Sequence, residues 1–166
     1  MTVTNVRQDP AALTMTMTAE FCASVARVWQ MWENPRLLER WWGPPTHPAT
    51  MVEHDLTAGG GVKYFMTGPD GEKYHGWWRV LSVAAPNRLE IEDGFADDDG
   101  KPNLDLPVTI MRVALDEQPD GVTRMAIEST FASREAMEQV IAMGAEEGMA
   151  LAVGQIDDLL AAEISS

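Results

Sequence analysis

The sequence predicts an α+β fold in which one curved antiparallel sheet is wrapped around a long C-terminal helix. From residue 50 to residue 131, clusters of Gly, Pro, Asn and Asp recur every 8 to 15 positions and separate strand-like segments, which is typical of an antiparallel meander. After Ser133 the apolar residues return at helical spacing. Because a sheet must bury its apolar face against another layer, we expect seven strands, two short helices and one long helix.

The N-terminal part supplies the first strand and both short helices. Residues 13–21 alternate apolar and polar side chains, as a half-buried strand does. Ser24 precedes a segment of helical spacing and is a candidate N-cap. Pro35 suits the first turn of a second short helix, which Gly43 terminates. We treat residues 1–11 as a flexible leader and residues 12–166 as a single domain.

Six further strands follow, each bounded by residues that favour turns. The predicted strands are Thr50–Leu56, Val62–Thr67, Lys73–Val83, Leu89–Gly94, Val108–Leu115 and Thr123–Phe131. The terminal helix then begins after Ser133, is interrupted at Gly144 and continues to Ala162. Gly148 lies in the same helix, and we expect its missing side chain to keep the helix clear of a cavity or its mouth.

Charge and cysteine content exclude several classes of function. The formal net charge is −14, and the acidic excess falls after residue 88. A nucleic-acid backbone or an anionic membrane surface would be repelled, so we expect neither as a partner. Cys22 is the single cysteine, which rules out an internal disulfide. With no signal-peptide pattern at the start of the sequence, we expect a cytoplasmic protein.

The order and spacing of several motifs resemble a known superfamily. They include Trp41-Trp42 before Gly43-Pro44, and a GPDG turn followed by His75-Gly76-Trp77. From about residue 13 to residue 162 the chain resembles the SRPBCC superfamily of START-like, helix-grip proteins, in the branch named after the activator of a heat-shock-chaperone ATPase. The resemblance implies a sheet gripping the terminal helix around a deep apolar cavity, with functions that range from lipid or polyketide binding to ring cyclisation.

No dedicated catalytic or metal-binding signature is present. The sequence lacks GxSxG, HExxH and GxxxxGK[ST] motifs, so we assign no catalytic residue and no cofactor. His54 lies between Glu53 and Asp55, but alternation on a strand places it on the opposite face from both. The acidic run before Gly100 fails the EF-hand spacing, because it puts Phe95 at the first ligand position. We therefore predict no metal site.

The main hypothesis is a binding module that holds an apolar or aromatic small molecule, lipid-like or polyketide-like, in a cavity of more than about 300 Å³. Strand alternation and helical spacing predict which apolar side chains line the cavity. Tyr64, His75 or Arg112 would orient the ligand through a polar group. The expected ligand-binding residues are Tyr64, Met66, His75, Trp77, Trp78, Phe95, Arg112, Met125, Ile127, Met149, Val153 and Ile156.

Two alternatives remain open. The first is an enzyme of the polyketide cyclase or hydrolase type, in which His75 or Asp93 moves protons. The sequence shows no nucleophile or acid/base pair, so we favour binding over catalysis. The second is a regulatory or protein-interaction module, either a homodimer or a partner of a winged-helix repressor, since the resemblance implies that some bacterial members are encoded next to one.

Overall fold

The computed structural model describes residues 3–165, with side chains for residues 5–162. It contains one antiparallel sheet and five α-helices, and from β2 onward their order along the chain is the predicted one. The elements are β1 Val3–Asp9, β2 Thr14–Phe21, α1 Val25–Glu33, α2 Pro35–Trp41, β3 Ala49–His54, β4 Gly61–Thr67, β5 Lys73–Ala84, β6 Arg88–Phe95, β7 Thr109–Gln118, β8 Val122–Phe131, α3 Arg134–Ala142, α4 Ala145–Gly154 and α5 Ile156–Ser165.

The sheet has eight strands in the order β1-β2-β8-β7-β6-β5-β4-β3, and every neighbouring pair is antiparallel. The chain runs as a meander from β3 to β8, and β8 then pairs with β2. Because β2 and β3 lie far apart in the sheet, α1 and α2 carry the chain from one side of the sheet to the other. The two short helices therefore cover the inner face rather than extend an edge.

The expected flexible leader is wrong for the described part of residues 1–11. Val3–Asp9 form β1, an edge strand paired with β2. The strand escaped prediction because it has little apolar patterning: Val6 packs against the core, whereas Asn5, Arg7 and Gln8 are exposed. Backbone hydrogen bonds to β2 hold such a strand in place, so the sheet has eight strands instead of seven.

The predicted helix starts are confirmed by their caps. The Ser24 hydroxyl accepts a hydrogen bond from the Arg27 backbone N–H at 3.2 Å, which satisfies a donor that the first helical turn leaves free. The Asn34 side chain accepts from the Arg36 backbone N–H at 2.9 Å at the start of α2. These two caps set the positions of α1 and α2 over the sheet.

The long C-terminal helix is broken twice. The first break is at Gly144, whose φ of 84° is a left-handed conformation that favours glycine. The second is at Gln155, where α4 gives way to α5. The Gln155 side-chain amide donates to the Gly43 carbonyl oxygen at 2.7 Å. This contact ties the end of α4 to the loop that follows α2.

The core lies between the inner face of the sheet and α1, α2, α4 and α5. Alternation along β2 is clear: Met15, Met17, Ala19 and Phe21 are buried. At the centre, the Trp32 and Trp41 rings meet edge to face with centroids 4.8 Å apart. Such aromatic pairs stabilise a core beyond their buried area.

Candidate functional site

The candidate site is a cavity between the inner face of β4 and β6 and the junction of α3 with α4. Its volume is about 280 Å³. Apolar and aromatic side chains form most of its wall, as they do in small-molecule sites generally. The lining residues are Trp42, Pro44, Tyr64, Met66, Asp93, Phe95, Val140, Met143, Gly144, Ala145, Gly148 and Met149.

A hydrogen bond between Tyr64 and Asp93 provides the polar part of this wall. The two residues lie on β4 and β6, with β5 between them. Tyr64 pairs with Gly76 of β5, and a Cβ atom at Gly76 would lie 2.4 Å from the Tyr64 phenol oxygen. Since glycine has no Cβ, the phenol can cross β5, and its hydroxyl donates to Asp93 Oδ1 at 3.1 Å.

Burial sets the electrostatics of this pair. It raises the pKa of the Asp93 carboxyl group to about 7, although the hydrogen bond from Tyr64 and the nearby Trp78 indole act in the opposite direction. Burial, followed by the Asp93 charge, holds the pKa of Tyr64 well above its usual value. A carboxyl group in this state exchanges a proton near neutral pH, whereas the phenol stays neutral.

Two buried indole N–H groups lie beside the pair. Among the described residues, Trp42 Nε1 and Trp78 Nε1 are buried polar side-chain atoms with no hydrogen-bond partner. The two rings meet edge to face with centroids 4.7 Å apart, and the Trp42 ring lies 6.1 Å from that of Tyr64. Unsatisfied buried donors are unfavourable, so this end of the core is polar and incompletely paired.

The chain brings four of the expected ligand-binding residues to the cavity: Tyr64, Met66, Phe95 and Met149. Asp93, which we considered for the enzymatic alternative, also lines it. Gly148 lies on the wall too, and a Cβ atom added there would meet nothing within 4 Å. This placement agrees with the expectation that Gly148 keeps the helix clear of the cavity.

The deep part of the expected cavity is filled. Trp78, Met125, Ile127, Val153 and Ile156 point inward as expected, but they are at most 2% exposed and belong to the packed core. None of them lines the cavity. The side chains of the two layers interdigitate here, which strand parity alone could not reveal. The cavity is therefore shallower than expected and falls below the expected 300 Å³.

Three residues expected to line the cavity lie instead on the outer face of the sheet: His75, Trp77 and Arg112. His75 stacks on Phe65 with ring centroids 5.6 Å apart. Trp77 covers Gly94, which it opposes in the sheet, and its indole donates to the Phe95 carbonyl oxygen at 2.9 Å. In β5 the buried residues are Gly76, Trp78 and Val80, so alternation turns both neighbours of Gly76 outward.

Arg112 lines a groove of about 440 Å³ on that outer face. Its guanidinium group forms ion pairs with Glu90 at 3.0 Å and Glu128 at 3.5 Å. Because its charge is already matched, this side chain stabilises the outer surface of neighbouring strands and is not aimed at the cavity.

The structure also shows the position of His54 and the arrangement of potential metal ligands. His54 is half-buried, and its Nε2 donates to the Trp32 carbonyl oxygen at 3.0 Å, which is a structural role. In the part of the chain that the structure describes, no group of three or more His, Cys, Asp or Glu side chains is arranged to hold a metal ion. Within residues 3–165, none of the helices is both long and apolar enough to cross a bilayer.

Sequence reasoning missed several lining residues, chiefly Trp42, Pro44, Val140 and Met143. Trp42 is the C-cap residue that follows α2, whose last residue, Trp41, turns into the core and donates to the Met31 carbonyl oxygen at 2.8 Å. The Trp-Trp pair was itself a signal, because neighbouring residues on a helix face different directions. Val140 and Met143 required knowledge of where the helix breaks.

Comparisons with known proteins agree with this architecture. The family model described as "Activator of Hsp90 ATPase homolog 1-like protein" matches residues 22–161. The crystal structure of protein Ms6760 from Mycobacterium smegmatis is similar, with 53% identity, a TM-score of 0.88, and 95% of this chain and 96% of that chain covered. A solution structure of an Arthrobacter aurescens protein has 52% identity and a TM-score of 0.92, covering 96% of this chain and 92% of that chain.

A more distant neighbour is DynU16, a protein in the dynemicin biosynthetic locus. It is 17% identical, with a TM-score of 0.60, and the match covers 87% of this chain and 47% of that chain. At that identity the likeness shows the fold alone. No protein of curated function is similar enough to match the chain.

Proposed function

The chain belongs to the family of Activator of Hsp90 ATPase homolog 1-like proteins, and from that premise we propose that it binds a small apolar or aromatic molecule in the cavity between the sheet and α4. Proteins with this fold commonly bind hydrophobic ligands. The observation that supports the proposal most directly is an apolar cavity whose wall carries the Tyr64–Asp93 hydrogen bond.

The apolar and the polar residues of the cavity wall contribute to binding in different ways. Met66, Phe95 and Met149 offer apolar surface, and removing ligand and protein surface from water contributes about 25 cal/mol per Å². Methionine side chains adapt to ligands of different shape. Tyr64 and Asp93 lie together at one place on the wall, so they orient a ligand that carries one polar group.

The enzymatic alternative has one observation in its favour, the pKa of about 7 for Asp93. A general acid or base works best when its pKa lies near the working pH. The described lining contains no Ser, Thr, Cys, Lys or His side chain to act as a nucleophile. Binding therefore remains the function that the site supports best, and proton transfer by Asp93 is the second candidate.

The experiment uses the environment-sensitive neutral fluorophore N-phenyl-1-naphthylamine as probe. Gly148 lines the cavity and a Cβ atom there would meet nothing within 4 Å, so Gly148→Leu is the variant chosen to block it. Gly154 is its matched control, since it is also in α4, also faces open space and does not line the cavity. We expect the wild type and Gly154→Leu to enhance probe fluorescence and Gly148→Leu to bind at least about tenfold more weakly.

Thermal melts provide the second measurement. A ligand present at about 100 times its dissociation constant adds about 2.7 kcal/mol of stability. The proposal fails if a panel of neutral apolar and aromatic compounds gives neither fluorescence enhancement nor a thermal shift. Equal probe affinity in all three proteins would place the binding site elsewhere, such as the outer-face groove, and would also reject the cavity.

A further inference from the structure

The charge of the cavity wall is one-sided. Among its described lining residues, Asp93 is the acidic side chain, and none is Lys, Arg or His. The hydrogen bond from Tyr64 is neutral, and no ion pair within the described residues involves Asp93. Asp93 is half-buried, and a carboxylate withdrawn from water without a cation is unfavourable. A ligand could therefore supply the counter-ion that the ionised form of Asp93 lacks.

The surroundings of Asp93 also favour a positive ligand. Trp42, Tyr64 and Phe95 line the cavity, and aromatic rings attract cations through their negative faces. Near the α3–α4 junction, Glu146 and Glu147 follow the lining residues Gly144 and Ala145. The formal net charge of −14 attracts cations over a longer range and repels anions.

Among the residues that the structure describes, no element packed around Asp93 places a positive charge against it. From β4 the titratable group that faces it is the Tyr64 phenol. From β5 its partner is Trp78, and from β7 its partner is Thr109, both uncharged. In the first turn of α4 the charged groups are the carboxylates Glu146 and Glu147, and Glu146 accepts a hydrogen bond from the Gln8 side chain of β1 at 3.2 Å.

We propose that the ligand is an organic cation, a hydrophobic amine whose charged nitrogen pairs with the Asp93 carboxylate while its apolar body fills the cavity. This inference rests on the binding function proposed above and names the class of ligand. A carboxylate ligand meets like charge and no cation in the wall. A neutral ligand leaves the Asp93 carboxyl group to be protonated or unpaired.

The test compares three probes that share one apolar body: 1-naphthylmethylamine, 1-naphthylmethanol and 1-naphthoic acid. Calorimetric titration at pH 8 should show the amine binding at least about tenfold more tightly than the alcohol, the ratio expected for a hydrogen bond to a charged group. The acid should bind more weakly than the alcohol. Below about pH 7 the preference for the amine should shrink, because Asp93 becomes protonated.

Two variants separate the role of Asp93 from a general charge effect. Asp93→Asn removes the counter-ion and should abolish the preference for the amine over the alcohol. Glu92→Gln makes the same charge change one residue away. Glu92 pairs with Arg79 on the outer face, so this variant should keep the full preference for the amine.

The possible outcomes are distinguishable. If the alcohol binds the wild type but the amine binds no more tightly than the alcohol, or the acid binds at least as tightly, the ligand class is wrong and the binding function stands. If the preference for the amine survives Asp93→Asn, the cation pairs elsewhere and this inference is overturned. If none of the three probes binds and the neutral panel above also gives no response, the proposed function fails together with it.

Discussion

The two halves of α4 differ in how tightly they pack against the rest of the molecule. In the C-terminal half, Ala152 and Val153 are at most 1% exposed and are part of the continuous core. In the N-terminal half, Gly148 and Met149 line a cavity. One helix therefore closes the core at one end and borders a cavity at the other. We call the first region the closed end and the second the open end.

The chemistry of the two ends differs as much as the packing. At the closed end Met125, Ile127 and Leu115 fill the space with apolar side chains. At the open end the wall includes the Tyr64–Asp93 hydrogen bond, and two indole N–H groups nearby lack partners. Polar groups that lower the stability of a core are retained where a ligand can use them. The end that carries the proposed site is therefore the less tightly packed one.

The largest expected effect is a loss of stability at the closed end. Ile127→Ala should lower the free energy of unfolding by about 2 to 5 kcal/mol, because it leaves a void among rigid neighbours. Met66→Ala at the open end should cost less than Ile127→Ala, because Met66 is only half-buried and already borders the cavity. Urea denaturation measures both. Equal losses would show that the two ends are packed alike.

The second prediction concerns the pH dependence of stability. The folded pKa of Asp93, about 7, lies above its ordinary value of 3.8, so the folded state binds a proton that the unfolded state releases. This contribution to stability is complete below about pH 4 and is lost as the pH rises to about 7. Its full size is up to about 4 kcal/mol, reduced by the partial exposure of the residue.

Asp93→Asn should remove that part of the pH dependence, since an amide does not titrate. The variant should be more stable than the wild type at pH 8, where the wild type contains a buried carboxylate. Denaturation curves from pH 4 to pH 8 for both proteins make the comparison, with Glu92→Gln as the outer-face control. Parallel curves for the wild type and Asp93→Asn would contradict the assigned pKa.

The third prediction tests how the open end is built. Gly76→Ala places a Cβ atom 2.4 Å from the Tyr64 ring, so the phenol must leave its position across β5. We expect a loss of about 1 to 3 kcal/mol, as for other overpacked sites, together with loss of the Tyr64–Asp93 hydrogen bond. In the Tyr64→Ala background the penalty should largely vanish, and a double-mutant cycle measures this coupling. A penalty that persists would place its cause in the backbone.

The closed end was largely predictable from the sequence. Period-two alternation and helical spacing identified Met125, Ile127, Val153 and Ile156 as inward residues, and all four are buried. Parity assigns a face to each side chain, but it does not tell whether the opposite layer touches it. For that reason the same reasoning extended the cavity into the closed end, where the layers interdigitate.

The open end was predictable in part. Tyr64, Met66 and Phe95 follow from parity, and Met149 follows from the helical stripe. The assignment of His75 and Trp77 to the cavity was wrong. Apolar residues occur on both faces of β5, so the sequence does not show which face is turned inward. Two glycines show which face each residue of β5 takes, because Gly76 lies opposite Tyr64 and Gly94 lies opposite Trp77. Recognising both pairs requires the strand register, which the sequence alone does not give.

The smallest expected effect comes from Gly148→Ala, and it compares the open end with plain helix surface. Removing a helical glycine stabilises a helix by up to about 1 kcal/mol, and a Cβ atom at position 148 meets nothing within 4 Å. Gly154→Ala should give a similar gain, because its surroundings are also open. The two variants should differ in binding, since only position 148 borders the cavity among these two. A rise in melting temperature for both, with slower or weaker binding of N-phenyl-1-naphthylamine confined to Gly148→Ala, would assign this glycine to ligand access. If Gly148→Ala instead lowers stability, α4 must approach the sheet more closely than the structure shows, and the division into an open and a closed end would lose its basis.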